Sequence, residues 1–121
     1  NAEAVRSRLA VGMLVQGPLA GKLSTWSTLT AMVAPGSVWD FKVHYGDQFE
    51  PFGNYHFGRV FDAAGVPEEI ALRGAGLVQY AKDRVTGKSY GQGRPWGDPP
   101  YGDDPSDQRR IKQGYAGEPC Q

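Results

Sequence analysis

Residues 39 to 45 read Trp39, Asp40, Phe41, Lys42, Val43, His44 and Tyr45, a strict alternation of large apolar and polar side chains. Successive side chains of a strand point to opposite faces, so this segment has the period of a strand rather than of a helix. It predicts a strand with Trp39, Phe41, Val43 and Tyr45 buried and with Asp40, Lys42 and His44 on a second, chemically loaded face. An edge strand kept soluble by its charges would show the same alternation, so the segment alone does not define a site.

The rest of the chain carries helical spacing. Residues 2–16 place Val5, Leu9, Gly12, Met13 and Gln16 on one face, and residues 22–33 place Leu23, Trp26, Thr30 and Val33 on another. Gly17-Pro18 breaks between them, which predicts a helical hairpin. After Pro35-Gly36, the strand and a turn at Gly46-Asp47, the spacing of Phe57, Val60, Phe61 and Ala64 marks a buried stripe that stops at Gly65. Pro67 with Glu68 and Glu69 opens a further helix, whose inner face is expected to be Ile70, Gly74, Leu77, Val78 and Ala81, the glycine implying close helix contact. Residues 86–103, rich in Gly, Pro, Tyr and Trp, read as a binding loop or lid, with disorder as the alternative. Asp104-Pro105-Ser106-Asp107 then caps a last helix through Ile111 and Tyr115. The expected fold class is α+β: a mainly α-helical single domain over 1–121 with a short strand or small sheet. It divides into a hairpin at 1–34, a core at 35–115 and a tail at 116–121.

Composition narrows the function. With 121 residues, 40% of them apolar, the chain can build one modest core. Lys plus Arg and Asp plus Glu both number 13, so no global field attracts polyanions and duplex DNA is excluded as the main ligand. The single cysteine, Cys120, forms no intrachain bridge and reads as an incidental tail residue rather than a nucleophile. Asn1 is no translation start, which points to a processed or excised domain. No apolar run approaches the roughly 20 residues of a membrane span. Paired-cysteine zinc patterns, phosphate-binding glycine loops and two-histidine metalloprotease helices are missing, so neither metal nor cofactor is expected.

The remaining chemistry lies in carboxylates and two histidines. Glu50 stands between Phe49 and Pro51-Phe52, where desolvation favours a neutral carboxyl suited to a general acid. Asp104, at a helix N-terminus, is favoured as the anion. Two carboxyls in opposite environments separate proton donor from base or nucleophile in glycoside hydrolysis. Capping alone would also explain Asp104 and Asp107, although a helix needs one cap and Asp103 is then surplus. Asn54 is expected to cap the helix of the Phe57 stripe, with His56 neutral in its first turn. His56 fits either a base or a packed neighbour of aromatic rings.

Trp39-Asp40-x-Lys42, Asn54-x-His56-Phe57-Gly58, Leu72-x-Gly74-Ala75-Gly76-x-x-Gln79 and Gly102-Asp103-Asp104-Pro105-x-Asp107-Gln108-x-x-Ile111-x-x-Gly114 follow one another in register. In this order and with these gaps they resemble the polymorphic toxin type 44 domains, the C-terminal warheads of secreted interbacterial toxins. The resemblance covers roughly residues 35–115 and leaves the N-terminal hairpin unmatched. It implies a secreted antibacterial hydrolase that works without a nucleotide cofactor. Such domains are usually described as RNases, while similar domains occur among secreted lysozyme-type enzymes. The matched polar residues are Asp40, Lys42, Asn54, His56, Gln79, Asp104 and Asp107, and Glu50 falls where relatives also carry an acid.

Two enzymatic readings follow. A muramidase would use Glu50 as acid and Asp40 or Asp104 as base or nucleophile. Asn54 and His56 would orient the glycan, and Trp39, Lys42, Tyr55, Gln79, Tyr101, Asp103 and Asp107 would complete the substrate site. Neutral charge and aromatic platforms at Trp39, Tyr90, Trp96 and Tyr101 favour it. A metal-independent RNase would use His56 and His44 as acid and base, with Lys42 on the phosphorane, but phosphate affinity draws on a basic surplus that this chain lacks. A non-catalytic glycan-binding module would use the same aromatics and none of the acids. The expected partners are bacterial cell-wall peptidoglycan and an immunity protein, with no DNA and no membrane, for a secreted monomer.

Overall fold

The computed structural model describes residues 1–34 and 36–119; Cys120 lies outside them. Among the described residues the fold is all helical, with no strand and no sheet, which overturns the α+β expectation. The elements are α1 (Ala2–Gln16), α2 (Pro18–Val33), α3 (Phe41–Tyr45), a 3-10 turn (Asp47–Phe49), α4 (Glu50–Ala63), α5 (Glu68–Thr86) and α6 (Pro105–Ala116). The segment read as a strand is the five-residue α3. Asp40 caps it, Oδ1 accepting from Val43 N at 3.2 Å, and Gly46 at φ 112° ends it. An extended backbone here would find no second strand among the described residues. A helical turn instead satisfies its N–H and C=O groups internally. Val43 and Tyr45, expected to be buried, are exposed.

The core forms where the sequence stripe places it. Val60 and Phe61 of α4 and Ala64 at its end are buried, and Ile111 of α6 is fully enclosed. Helices α4 and α6 run side by side in the same direction. Glu50 and Asp107 sit at their starting ends, Gly58 and Gly114 meet in backbone contact at the crossing, and Tyr115 Oη donates to Val66 O at 2.8 Å beyond. The hairpin leans on this pair through Trp26, whose Nε1 donates to Ala64 O at 2.6 Å. Within α2 the buried residues are Gly21, Thr25 and Leu29, whereas Leu23 and Thr30 of the expected face are exposed.

Helix α5 also turns a different face inward. Ala71, Leu72 and Gly76 are buried, and the expected inner stripe of Ile70, Gly74, Leu77, Val78 and Ala81 faces outward. The inward face receives the loop 87–104. Arg73 Nη1 donates to Pro95 O (2.8 Å) and Gly97 O (3.0 Å) while its guanidinium lies 4.4 Å from the centre of the Tyr101 ring. Asp83 accepts from Gly91 N at 2.8 Å. Within the loop Gln92 N donates to Asp103 O at 2.9 Å and Gly102 N to Gln92 O at 2.8 Å. These contacts bury Tyr101 and carry Asp103 to the start of α6.

Candidate active site

Because α4 and α6 run in the same direction, their N-terminal ends open on the same side of the molecule. Glu50 is the first residue of α4, Asp104 caps α6 and Asp107 lies in its first turn. Asp103 arrives from the loop and Lys42 from α3. Lys42 Nζ stands 2.7 Å from Glu50 Oε2, and this hydrogen-bonded pairing holds the ammonium above its ordinary pKa. Glu50 is therefore ion-paired rather than surrounded by apolar groups, as its sequence neighbours had suggested.

The carboxyl that burial favours as neutral is Asp107. Desolvation, followed by the negative charges of Asp103, Glu50 and Asp104, pushes it up to about 7 against a smaller opposing pull from Lys42. Asp103, also buried, is raised mainly by desolvation. Asp104 is lowered, first by the Ser106 hydroxyl, which donates to its Oδ1 at 2.6 Å, and further by Ser106 N at 2.7 Å on the same oxygen. The result is a cluster of carboxyls in contrasting states, with Asp107 pushed up to about 7.

Other sequence candidates stand apart from this cluster. Asp40 spends both oxygens on backbone, Oδ2 accepting from Gly36 N at 2.7 Å and Oδ1 from Val43 N. His56 lies in the second turn of α4, not the first, because the helix begins at Glu50; Asn54 is inside the helix and donates to Glu50 O at 3.2 Å instead of capping. The His56 ring is 7% exposed, edge-on to Trp39 and Phe41 at 4.8 and 5.0 Å between centroids. Its Nε2 accepts from Asn1 Nδ2 at 2.8 Å and its Nδ1 has no partner. Burial lowers it to about 4, so desolvation rather than a helix end favours the neutral ring. His44 is exposed and bonded to Ser37 O. Tyr55 Oη donates to Glu118 O, Gln79 Nε2 donates to Asp83 Oδ1 beneath the loop, and Tyr101 is held under Arg73.

Gln108, part of the matched motif but given no role by the sequence, completes the cluster. Gln108, 5% exposed, donates from Nε2 to Asp103 Oδ2 at 2.8 Å and to Leu72 O at 3.1 Å, which fixes Asp103 against α5. Its signal was a polar residue on the buried stripe of α6, three positions before Ile111. Among the described residues no three acidic, His or Cys side chains come together in a geometry that could hold a metal ion.

No helix of the described residues is long and apolar enough to cross a membrane. Neither a curated protein nor a solved structure gave a match to the chain. The family model described as bacterial toxin 44 matches residues 25–118, which takes in the second half of α2, helices α3 to α6 and the whole acidic cluster. The chain belongs to the bacterial toxin 44 family.

Proposed function

We propose that this toxin domain is a muramidase-type glycosidase that cuts the glycan strand of peptidoglycan, with Asp107 as proton donor and the Lys42-paired Glu50 as its ionised counterpart. The observation that carries the reading is the convergence of Asp107, Asp103 and Glu50 at the starting ends of two helices, one carboxyl desolvated and another ion-paired. Proton donation to a glycosidic oxygen needs a carboxyl that is neutral at the working pH, and stabilising the developing positive sugar ring needs an anion opposite it. In this assignment the acid role moves from Glu50 to Asp107. Asp104 keeps its capping role, and Asp103, set by Gln108, sustains the field that keeps Asp107 protonated. Secretion and an immunity partner for the producing cell belong to the same reading.

An RNase mechanism through His56 draws less support. Its ring is enclosed by Trp39, Phe41 and Phe52, and the chain carries no basic surplus to hold a phosphodiester. The purified domain should clear a suspension of bacterial cell walls and release reducing sugar ends. Glu50→Gln should slow that release by about 10²-fold or more, typical for loss of a catalytic carboxylate, with an unchanged helical circular-dichroism spectrum. RNA degraded while walls stay intact would overturn the proposal.

A further inference from the structure

Between α5 and α6 the chain makes two successive turns, closed by Gly97 N donating to Arg94 O at 3.0 Å and by Tyr101 N donating to Asp98 O at 3.0 Å. Gln92, Arg94, Trp96, Asp98 and Pro100 line a hollow here of about 520 Å³, within the ~300–1,000 Å³ of small-ligand sites. Trp96 is 64% exposed, yet its backbone is clamped on both sides. The carbonyls of Pro95 and Gly97 accept from the same guanidinium, that of Arg73, which Glu69 holds at 2.9 Å. The indole itself stands edge-on to Tyr80, 5.4 Å between centroids. Ordering a large side chain in the open costs conformational entropy that its exposed face does nothing to offset. A rigid, exposed aromatic face is what a ring-shaped ligand stacks on, with the ordering done before the ligand arrives.

Arg94 supplies a charge beside that face. Among the described residues its guanidinium has neither an ion pair nor a hydrogen-bond partner, whereas Arg73 and Arg84 are both engaged. A free planar fork of this kind takes a carboxylate through two parallel hydrogen bonds. The hollow also borders the acidic cluster. Gln92 is bonded through its backbone to both Gly102 and Asp103, and a Cβ on Gly102 would touch Pro95 Cδ at 3.3 Å. The backbone that carries Trp96 is thus packed on the backbone that delivers Asp103 to α6.

We infer that this hollow is a sugar subsite flanking the acidic cluster, with Trp96 stacked on the face of a pyranose ring and Arg94 paired with a carboxylate that the ring carries. The inference rests on the glycosidase reading and adds the kind of ring that is preferred. Of the two alternating amino sugars of a peptidoglycan strand, one bears a lactyl ether ending in a carboxyl group and the other bears none. That carboxyl is an anion only where the amide joining it to the stem peptide has been hydrolysed. The subsite therefore favours strands already stripped of peptide, which places an amide-hydrolysing reaction before this one. Like charges repel, so the ionised carboxyls of the cluster keep the acidic ring at the Arg94 flank and fix the register of the strand.

Titration calorimetry with two probes tests it: peptide-free peptidoglycan glycan oligomers, and chitin oligosaccharides of equal length, in which no ring carries a carboxylate. The full chain bearing Asp107→Asn is titrated, so that neither probe is cut. The glycan oligomers should bind about tenfold or more tighter than chitin, the scale of one charge-assisted hydrogen-bonded pair. Adding Arg94→Gln should erase that difference and leave chitin binding as it was, and adding Trp96→Ala should weaken both probes about three- to tenfold. Both side chains are exposed, so circular-dichroism spectra should not change. Equal affinity for the two probes, or affinities that neither substitution alters, would overturn the subsite, while reducing ends released from cell walls by the wild type would still uphold the glycosidase reading. Binding that depends on Trp96 and Arg94 without any release of ends by the wild type would do the reverse, upholding the subsite as a glycan-binding site and removing the hydrolysis.

Discussion

Asp107→Asn is expected to cut release of reducing ends from cell walls by about 10²–10⁴-fold, the usual range for losing a positioned general acid, while the domain becomes more stable above neutral pH. The loss follows from the role: an amide cannot deliver the proton, although it keeps the shape. The activity of the wild type should fall on the alkaline side as Asp107 ionises near its value of about 7.

The stability gain follows from the same desolvation. Between the ordinary carboxyl value of 3.8 and about 7, folded Asp107 keeps a proton that the unfolded chain has released. The folded state binds more protons in that window, so this group makes stability fall as pH rises through it. Replacing it with Asn removes that loss. Asp107 is only half-buried, and solvent screening reduces the gain to about 1–2 kcal/mol at pH 8, with little change at pH 4. His56 acts in the opposite sense. It is lowered to about 4 from 6.5, so between those values the unfolded chain takes up a proton that the buried ring refuses, and stability is lost as pH falls through the window. In the wild type the two slopes oppose each other between about pH 4 and 6.5, whereas Asp107→Asn leaves the His56 slope alone. Melting temperatures from pH 4 to 8 check this; a variant shifted equally at every pH would exclude Asp107 as the desolvated carboxyl.

How far the sequence disclosed this fold depends on whether a residue's neighbours along the chain resemble its neighbours in space. The Phe57, Val60, Phe61 stripe and the Asp104 cap were legible because helix periodicity and capping are local, and both stand in the structure. The strand at 39–45 failed because a strand needs a partner, and period two in seven residues does not supply one. Helix α5 failed differently: its periodicity was read correctly, but period does not say which side of a helix the core is on. The loop decided it, since Arg73, Gly76, Tyr80 and Asp83 anchor residues 91–101 to the opposite face. In the site, Lys42 and Glu50 pair at 2.7 Å beside the run Asp103 to Asp107, while Asp40 and His56, expected in the same groove, are engaged elsewhere; the protonation of the carboxyls was not legible. Glu50 has apolar neighbours in sequence and an ammonium in space, and Asp107 faces Glu50 of α4 besides Asp103 and Asp104 of its own run. The share contributed by Glu50 and Lys42 is set by the α4 and α6 packing, which no short motif encodes.

That crossing is itself open to test at Gly58. A Cβ added there would lie 2.1 Å from Ile111 O, 3.0 Å from Ile111 C and 3.1 Å from Gly114 Cα, all of them backbone atoms that no rotamer change can move aside. Alanine is the better helix former by about 1 kcal/mol, so in an open position the substitution would stabilise. Here steric exclusion wins, because relieving a 2.1 Å approach requires the two helices to separate along their whole contact. Overpacking of this kind costs typically 1–3 kcal/mol and sometimes more, and the rigid partner atoms place Gly58→Ala at the upper end, near 3 kcal/mol net. For a chain of 121 residues that lowers the melting temperature by roughly 10–15 °C. Separation would also draw Glu50 and Lys42 away from Asp107, so cell-wall hydrolysis should drop even at temperatures where the variant is fully folded. Gly74→Ala, with nothing within 4 Å, provides the comparison: measured in dilute solution, it should be neutral or raise the melting temperature. If Gly58→Ala instead melted with the wild type and kept its activity, the backbones of α4 and α6 could not be in contact at this crossing, and the cleft their first turns form would have to be built some other way.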